Sequence, residues 1–257
     1  MTNVPHVAHV PVVLVTGAAR RVGAEIARSL HAAGACVAIH YRSSATAAND
    51  LVAELNAARP GGTDESAVAF AADLLDLAAL PRLVESVVAR FGRLDALVNS
   101  ASSFFATKVG AVDTAAWDDL IGSNLKAPLF LAQAAAPFLE QSGGCIVNIT
   151  DIHAERPLKG YPLYCAAKAG LLGLTRALAL ELGPRVRVNA VAPGAIEWPH
   201  SEKDFSPAVR TAIIDHTLLK RVGSPADIAR TVKFLVFDAP YVTGQVINVD
   251  GGRTVYL

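Results

Sequence analysis

Residues 12–23, Val-Val-Leu-Val-Thr-Gly-Ala-Ala-Arg-Arg-Val-Gly, join a buried apolar run to a glycine turn and then to an amphipathic segment. In this strand–turn–helix context, glycines let the backbone approach a pyrophosphate at the helix N-terminus. Gly17 allows the tight turn and Gly23 allows close helix packing, whereas Arg21 stands where a small residue is expected. Taken alone, the stretch fits equally well a short glycine turn that simply joins a strand to a helix.

Apolar runs alternate with longer amphipathic segments along the rest of the chain. Short apolar runs between turn signals predict buried strands, and the longer segments predict helices. The predicted strands are Pro11–Thr16, Cys36–His40, Ala67–Ala72, Ala96–Asn99, Cys145–Thr150, Val186–Ala192 and Gln245–Val249. The predicted helices are Val22–Ala33, Thr46–Arg59, Leu80–Phe91, Thr114–Ala136, Tyr164–Leu182 and Pro225–Phe237. This pattern predicts an α/β protein with a doubly wound Rossmann fold, in which helices cover both faces of one seven-stranded parallel sheet.

No Pro/Ser-rich linker interrupts the pattern, so residues 1–257 are interpreted as one domain. Two stretches fall outside the repeat. Arg59–Ser66 is polar and glycine-rich and is interpreted as a loop. Glu197–Leu219 carries mixed charges and Trp198, and it follows the sixth strand. A mobile cover over a ligand crevice, spanning about residues 194–219, would lie at that position.

Composition excludes several classes of partner. Lys plus Arg and Asp plus Glu each number 23, which favours neither nucleic acid nor an anionic membrane and leaves a small molecule as the expected partner. Three widely spaced cysteines without a CxxC motif indicate neither disulfides nor zinc and fit a reducing cytoplasm. His153, His200 and His216 show no metal-ligand spacing, so no metal is expected. No signal peptide or unbroken apolar stretch of about 20 residues is recognised.

Tyr164 and Lys168 indicate the chemistry. Their i, i+4 spacing on a predicted helix puts both side chains on one face, where the ammonium can stabilise the ionised phenol. We therefore expect the pKa of Tyr164 to fall from its usual value of about 10, which would make the phenol a proton donor during hydride transfer from a nicotinamide. The spacing alone also occurs in surface Tyr and Lys pairs.

The end of the second predicted strand, Ile39-His40-Tyr41-Arg42-Ser43, selects between cofactors. It lacks the Asp or Glu that binds the ribose 2′-hydroxyl of NAD. Arg42 and Ser43, together with Arg20 and His40, offer donors to a 2′-phosphate instead, which favours NADPH/NADP. The alternative is that Arg42 is only a solvated side chain and binds no phosphate.

An ordered set of residues resembles the short-chain dehydrogenase/reductase family over nearly the whole chain. The set comprises the glycine loop, Asp73-Leu74, Asn99-Ser100-Ala101, Asn124, Tyr164 with Lys168, and Pro193-Gly194. The resemblance implies that Asn124 holds a water leading to Lys168, that Lys168 also binds the nicotinamide ribose, that Asp73 binds adenine and that Asn99 borders the cofactor. Cofactor-binding residues expected on this basis are Gly17, Arg20, Arg21, Gly23, His40, Arg42, Ser43, Asp73, Leu74, Asn99, Ala101, Tyr164, Lys168, Pro193 and Gly194.

Three departures from the usual family pattern resemble pteridine reductases. Arg21 replaces a loop glycine, Asp151 stands where a serine usually polarises a carbonyl, and Ser102-Ser103-Phe104 follows the fourth strand. The resemblance implies hydride addition to a C=N bond of a dihydropterin or dihydrofolate. The expected catalytic residues are Asp151, Tyr164, Lys168 and Asn124, and the expected substrate contacts are Arg21, Ser102, Phe104, Asp151, Tyr164 and Trp198.

Each departure also has an ordinary structural interpretation. Phe104 could be a core residue, Arg21 could cap a helix or pair with Glu25, Asp151 could be a solvated turn residue, and Trp198 could pack in the core. The rival functions are a carbonyl reductase of the same family, for example one acting on a 3-oxoacyl thioester, and a dinucleotide-binding sensor without turnover. The family resemblance further implies a homo-oligomer, a tetramer packed through the helices near 114–136 and 164–182.

Overall fold

The computed structural model describes residues 10–59, 65–198 and 205–255 and contains seven strands in those ranges. They are β1 Val12–Val15, β2 Cys36–Tyr41, β3 Ala67–Ala71, β4 Ala96–Asn99, β5 Cys145–Ile149, β6 Arg187–Pro193 and β7 Val246–Val249. All six neighbouring pairs are parallel, in the order β3-β2-β1-β4-β5-β6-β7. The predicted doubly wound, seven-stranded parallel sheet is therefore confirmed.

The described helices are α1 Arg21–Ala32, α2 Ala45–Ala58, α3 Ala79–Phe91, α4 Thr114–Ile121, α5 Ala127–Ser142, α6 Pro162–Leu182, α7 Pro207–Asp215 and α8 Pro225–Lys233. The helices cover both faces of the sheet. Successive side chains of a strand point to opposite faces, so each strand contributes to the packing on both. Val13 and Val15 of β1 belong to one core cluster with residues of α1, α2 and α8. Val12 and Leu14 belong to a second cluster with residues of α3 and α5. This double burial explains why β1 is apolar at every position rather than alternately.

Strand order reverses beside β1, where β2 lies on one side and β4 on the other. Val13 aligns with Val37 of β2 and with Ala96 of β4, so the chain leaves β1 between two diverging crossovers. Open parallel sheets bind ligands at such a switch point, outside the carboxyl ends of the strands. Gly17 and the first turn of α1 lie at that point.

Three helical regions differ from the sequence-based prediction. The helix predicted over Thr114–Ala136 is two α-helices, α4 and α5, joined by a π-helical segment, Gly122–Lys126. The helix predicted over Pro225–Phe237 is α8 followed by a second π-helical segment, Phe234–Asp238. Within the segment interpreted as a cover, α7 forms a helix that was not predicted. Its Ser206 N-cap and Pro207 at the first helical position were available signals.

Parts of the predicted loops lie outside the described residues. These are 60–64 within Arg59–Ser66, and 199–204, with His200, within the predicted cover. Among the described helices, α6 alone has the length and apolar composition of a membrane-crossing helix. Half of that stretch is buried against the rest of the protein, and core packing accounts for its composition.

Candidate active site

A cavity of about 550 Å³ opens along the carboxyl ends of the strands. We call its first part the loop end, which is lined by the glycine loop and by the residues after β2 and β3. We call its second part the aromatic end, which is lined by Phe104, Asp151, Trp198, Phe205 and Arg253. Tyr164 and Lys168 line the same cavity. Its volume falls in the range of about 300–1,000 Å³ typical of small-molecule sites.

Backbone contacts fix the glycine loop. Thr16 Oγ1 accepts hydrogen bonds from the amides of Ser100 (2.9 Å) and Ala101 (3.1 Å), which ties the end of β1 to the end of β4. A Cβ on Gly17 would lie 2.8 Å from the Ala101 Cα, and one on Gly23 would lie 2.3 Å from the Gly17 carbonyl oxygen. Gly17 also has a φ of 63°. Both positions therefore require glycine, as the sequence predicted.

His40 supports this loop from below. Its Nδ1 accepts the Gly17 amide hydrogen (3.1 Å), which leaves Nε2 to donate to the Ala72 carbonyl (3.1 Å). The ring is buried, and that burial lowers the pKa of His40 to about 4. The expected role of His40 as a donor to a cofactor phosphate is therefore corrected, because both nitrogens of a neutral ring are used inside the protein.

Cationic and hydroxyl donors remain at the loop end. Arg20, Arg42 and Ser43 line the cavity, and among the described residues neither arginine forms an ion pair. The next carboxylate, Asp73, accepts from the amide of Leu75 (3.0 Å) after β3 rather than standing at the end of β2. This donor set suits the 2′-phosphate of NADP and offers no carboxylate to a free 2′-hydroxyl.

Tyr164 and Asp151 both line the cavity and contact each other. The Tyr164 hydroxyl donates to Asp151 Oδ2 at 2.8 Å, and Asp151 Oδ1 accepts from the His153 amide at 2.8 Å. Burial and the Asp151 carboxylate raise the pKa of Tyr164 well above its usual range. The expectation of a lowered pKa is therefore wrong. The phenol is thus protonated at neutral pH and can donate its proton.

Lys168 lies one helical turn from Tyr164, as its spacing predicted. Its ammonium donates to the carbonyl of Ile149 at 2.9 Å and lies 5.7 Å from the centre of the Tyr164 ring. Burial lowers the pKa of Lys168 to about 8, while the charge of Asp151 opposes that shift. The lysine therefore keeps most of its charge at neutral pH, within reach of any negative charge that develops on the phenol.

Asn124 occupies the π-helical segment, a feature often found at functional sites. Its amide donates to the carbonyls of Ser103 (2.9 Å) and Leu120 (3.0 Å), and its oxygen accepts from the Ser102 hydroxyl (2.7 Å). The Asn124 side chain thus links the segment after β4 to α4. The water bridge expected from Asn124 to Lys168 stays a prediction.

Asn99 is buried below the cavity and is not among its lining residues. Its amide donates to Asn148 (2.8 Å), and Asn148 donates to Thr175 Oγ1 (3.0 Å). This buried series of hydrogen bonds joins β4 and β5 to α6, the helix that carries Tyr164. Asn99 thus supports the site from within the core.

Aromatic rings shape the aromatic end. Phe104 stacks on Tyr161 with centroids 4.6 Å apart and meets Tyr164 edge-on at 4.8 Å. Phe205 lies 6.5 Å from Phe104 and 6.0 Å from Trp198. Phe104 is 39% exposed, so the interpretation of this residue as core does not hold. Sequence reasoning singled out neither Tyr161 nor Phe205, although Tyr161 lies three residues before the reactive tyrosine.

Arg21 bridges the loop end and the segment after β6. Its Nε lies 3.5 Å from Glu197 Oε2, and its Nη2 donates to the Glu197 carbonyl at 3.3 Å. Both residues have positive φ angles, 52° and 50°. The partner of Arg21 is therefore Glu197 and not Glu25, which instead lies 3.8 Å from Arg28. The two residues are 176 positions apart in the sequence, and no local sequence pattern indicates that they pair.

The remaining expected residues also line the cavity. Leu74, Ala101, Ser102, Pro193, Gly194 and Trp198 are all part of its wall. Gly194 is required by packing, because a Cβ there would lie 2.7 Å from the Asp250 Cα. Arg253, after β7, was missed, although a charged residue directly after Gly251-Gly252 at a strand end was a usable signal.

Comparison with known proteins places this site in a family. A family model described as enoyl-(acyl carrier protein) reductase matches residues 17–254. The chain belongs to the short-chain dehydrogenase/reductase family. A solved structure, the blue fluorescent protein from a metagenomic library in complex with NADPH, is 37% identical to this chain. It superposes with a TM-score of 0.87 and covers 95% of this chain and 98% of its own.

Two relatives with different named activities are each 38% identical to the chain. Pteridine reductase 1 of Leishmania tarentolae is 38% identical over 290 residues, covering 95% of this chain and 96% of that protein. The 3-oxoacyl-[acyl-carrier-protein] reductase FabG of Staphylococcus aureus strain Mu50 is 38% identical over 242 residues, covering 93% and 96%. Overall identity therefore supports an oxidoreductase of this family and does not select the substrate.

Proposed function

We propose that the protein is an NADPH-dependent pteridine reductase that adds hydride to a C=N bond of a dihydropterin or dihydrofolate. One observation carries the proposal. The carboxylate of Asp151 accepts the Tyr164 hydroxyl at 2.8 Å inside the cavity, where a ketone reductase of this family usually has a serine. A carboxylate suits the N–H groups of an amino-pyrimidine edge, whereas a hydroxyl suits a single carbonyl oxygen.

The loop end fits NADPH by its donor chemistry. Arg42 and Ser43 directly follow β2, and no carboxylate stands at the end of that strand. The turn at Gly17 leads the backbone to the N-terminus of α1. Arg20 adds a second cation at the same edge. When bound there, NADPH supplies the hydride for the reaction.

Tyr164 supplies the proton. Its raised pKa keeps the phenol protonated at neutral pH, and a ring nitrogen that gains electrons as the neighbouring carbon accepts hydride is a strong enough base to take that proton. The charge left on the phenol then faces the ammonium of Lys168. Asp151 accepts the hydroxyl hydrogen bond before the transfer, and afterwards it is positioned to relay a proton from solvent to the phenolate.

Three further side chains fit a flat heteroaromatic ring. Phe104 presents a ring that is partly exposed to the cavity beside Tyr164. Ser102 donates to Asn124, which leaves its oxygen as an acceptor for a ring N–H. Arg21 lies across the cavity and offers guanidinium donors to acceptors of the pterin and to a cofactor phosphate.

The alternative proposal is a 3-oxoacyl thioester reductase with the same fold, Tyr164 and Lys168. The equal identity to the FabG relative supports it. Under this alternative, Asp151, Arg21 and Phe104 would have no role in selecting the substrate. A dinucleotide-binding sensor without turnover is disfavoured by the intact Tyr164–Asp151 contact.

The first experiment measures NADPH oxidation by the purified protein. Dihydrobiopterin, dihydromonapterin and dihydrofolate are compared with a 3-oxoacyl thioester, with and without methotrexate. We expect turnover of at least one pterin or folate and its inhibition by methotrexate. Turnover of the thioester alone would overturn the proposal and favour the alternative.

A variant sharpens this test. Asp151→Ser restores the usual family residue and removes the carboxylate, so we expect kcat/KM for the pterin to fall by about 100-fold, the scale of one lost acid–base group. Asp113→Ser, at the exposed N-cap of α4 and not among the residues that line the cavity, is the matched control. Full pterin turnover in the Asp151→Ser variant would contradict the proposed role.

We also propose a homotetrameric, cytoplasmic protein. Trp117 of α4, Leu129 of α5 and Leu180 of α6 are exposed apolar side chains on the helices expected at subunit interfaces. The three cysteines are free, as suits a reducing compartment. Light scattering coupled to size-exclusion chromatography tests the assembly, and a monomer of 26.8 kDa would contradict it.

A further inference from the structure

Arg253 lies at the aromatic end of the cavity and takes no part in the chemistry described above. It begins a short 3-10 turn, Arg253–Val255, directly after two glycines with positive φ angles. Its side chain is partly buried and lines the cavity together with Asp151 and Trp198.

The turn that presents Arg253 is held by many hydrogen bonds. The Asp250 carboxylate accepts from the amides of Gly252 (2.9 Å) and Thr254 (2.7 Å) and from the Thr254 hydroxyl (2.8 Å). Arg156, from the segment after Asp151, donates to the Thr254 carbonyl at 3.4 Å. The backbone beneath Arg253 is therefore set before a ligand arrives, which reduces the cost of ordering a binding group.

Arg253 differs from Arg21 and Lys168, two other cations that line the cavity. Arg21 is paired with Glu197, and Lys168 donates to Ile149. In residues 10–59, 65–198 and 205–255, the guanidinium of Arg253 has neither a hydrogen bond nor an ion pair within 4.0 Å. Asp151 and Asp250 act on it only through charge, while burial lowers its pKa. A partly desolvated guanidinium with unused donors favours an anionic ligand.

The apolar lining of the cavity indicates what carries that anion. Leu158, Phe205 and Ile213 line the same cavity as Arg253, together with Trp198, and provide an apolar surface. Such a surface suits the aryl part of an arm attached to the reacting ring, and Arg253 suits a carboxylate at the far end of the arm. Dihydrofolate has an arm of this kind, a benzoyl group followed by glutamate, whereas dihydrobiopterin has a short neutral arm.

We propose that Arg253 binds the carboxylate of the substrate's side arm and thereby selects dihydrofolate over pterins with neutral arms. The inference rests on the proposed pteridine reductase function and names the substrate class within it. It makes Arg253 a specificity-determining residue, and it leaves proton transfer to Tyr164.

The test compares two substrates that share a dihydropterin ring. Steady-state kcat/KM is measured with dihydrofolate and with dihydrobiopterin for wild type, Arg253→Gln and Arg253→Lys. The control is Arg82→Gln, an exposed arginine of α3 outside the cavity. We expect the ratio of the dihydrofolate value to the dihydrobiopterin value to fall about tenfold in Arg253→Gln, the effect of one lost charge-assisted hydrogen bond. Arg253→Lys restores most of the ratio, and Arg82→Gln leaves it at the wild-type value.

The outcomes separate this inference from the function on which it rests. An unchanged ratio in Arg253→Gln, with both substrates turned over by wild type, would overturn the role of Arg253 alone. An equal fall with both substrates would also overturn it, because Arg253 would then act through Asp151 or through the fold. No turnover of either substrate by wild type would overturn the proposed function itself. Binding provides a second measurement: Arg253→Gln should weaken methotrexate binding and spare 2,4-diaminopteridine, which lacks the carboxylate arm.

Discussion

At the loop end of the cavity, glycine contacts, the Thr16 hydroxyl and the buried His40 ring hold the backbone in one shape. At the aromatic end, partly exposed rings and the charged side chains of Glu197 and Arg253 form the wall. The loop end is built from groups that few other residues could replace. The aromatic end is built from side chains that can change without disturbing the sheet. The difference explains how relatives with different substrates can each share 38% identity with this chain.

The largest expected effect lies where the two ends meet. Tyr164→Phe removes the proton donor and keeps the ring, so we expect kcat to fall by at least about 100-fold, the scale of general acid catalysis. NADPH binding, measured by fluorescence titration, should be retained. Tyr241→Phe, a fully exposed tyrosine, is the control and should keep wild-type kcat. Turnover by Tyr164→Phe near the wild-type rate would show that another group delivers the proton.

The second prediction tests whether the loop end is a structural unit. Below pH 6.5 the unfolded chain protonates His40, whereas the folded protein resists protonation until about pH 4. His40 therefore lowers the free energy of unfolding as the pH falls through this window, by about 3 kcal/mol in total. Urea unfolding at several pH values measures this loss. In His40→Asn, which keeps an acceptor for Gly17, the loss over the same window should be smaller by that amount. Equal pH dependence in both proteins would contradict the buried, neutral ring.

The third prediction concerns cofactor choice. Arg42→Glu replaces a donor by a like charge at the expected 2′-phosphate position, so we expect the preference for NADPH over NADH in kcat/KM to fall by about 10-fold or more. Arg82→Glu makes the same charge change outside the cavity and is the matched control. An unchanged preference in Arg42→Glu would show that Arg42 is only a solvated side chain.

The smallest effect is expected for the ion pair between Arg21 and Glu197, which joins the loop end to the segment after β6. Arg21 and Glu197 are each nearly half exposed, and exposed ion pairs contribute less than about 1 kcal/mol. Glu197→Gln should therefore change the free energy of unfolding, measured with urea, by less than that amount. A loss above about 2 kcal/mol would show that the wall of the aromatic end is as structural as the glycine loop.

Sequence reasoning predicted the backbone of the site better than its charges. The seven strands and the positions of Gly17, Tyr164 and Lys168 follow from local pattern and spacing. The pKa of Tyr164 was predicted in the wrong direction, because the 2.8 Å contact with Asp151 and the burial of the phenol depend on how β5 and α6 pack. The Arg21–Glu197 pair and the role of His40 likewise depend on tertiary contacts. Local periodicity carries no information about such contacts.

Arg21 also has a consequence for the stability of the protein. Its backbone has a φ of 52°, a left-handed conformation that costs a residue with a side chain about 1–2 kcal/mol and costs glycine little. Glycine is the usual family residue at this position. A laboratory screen that rewarded heat resistance alone would thus be expected to return Arg21→Gly, which would also remove the side chain that we propose contacts the substrate. Backbone strain of this kind is typical of functional positions, which supports the substrate contact proposed for Arg21.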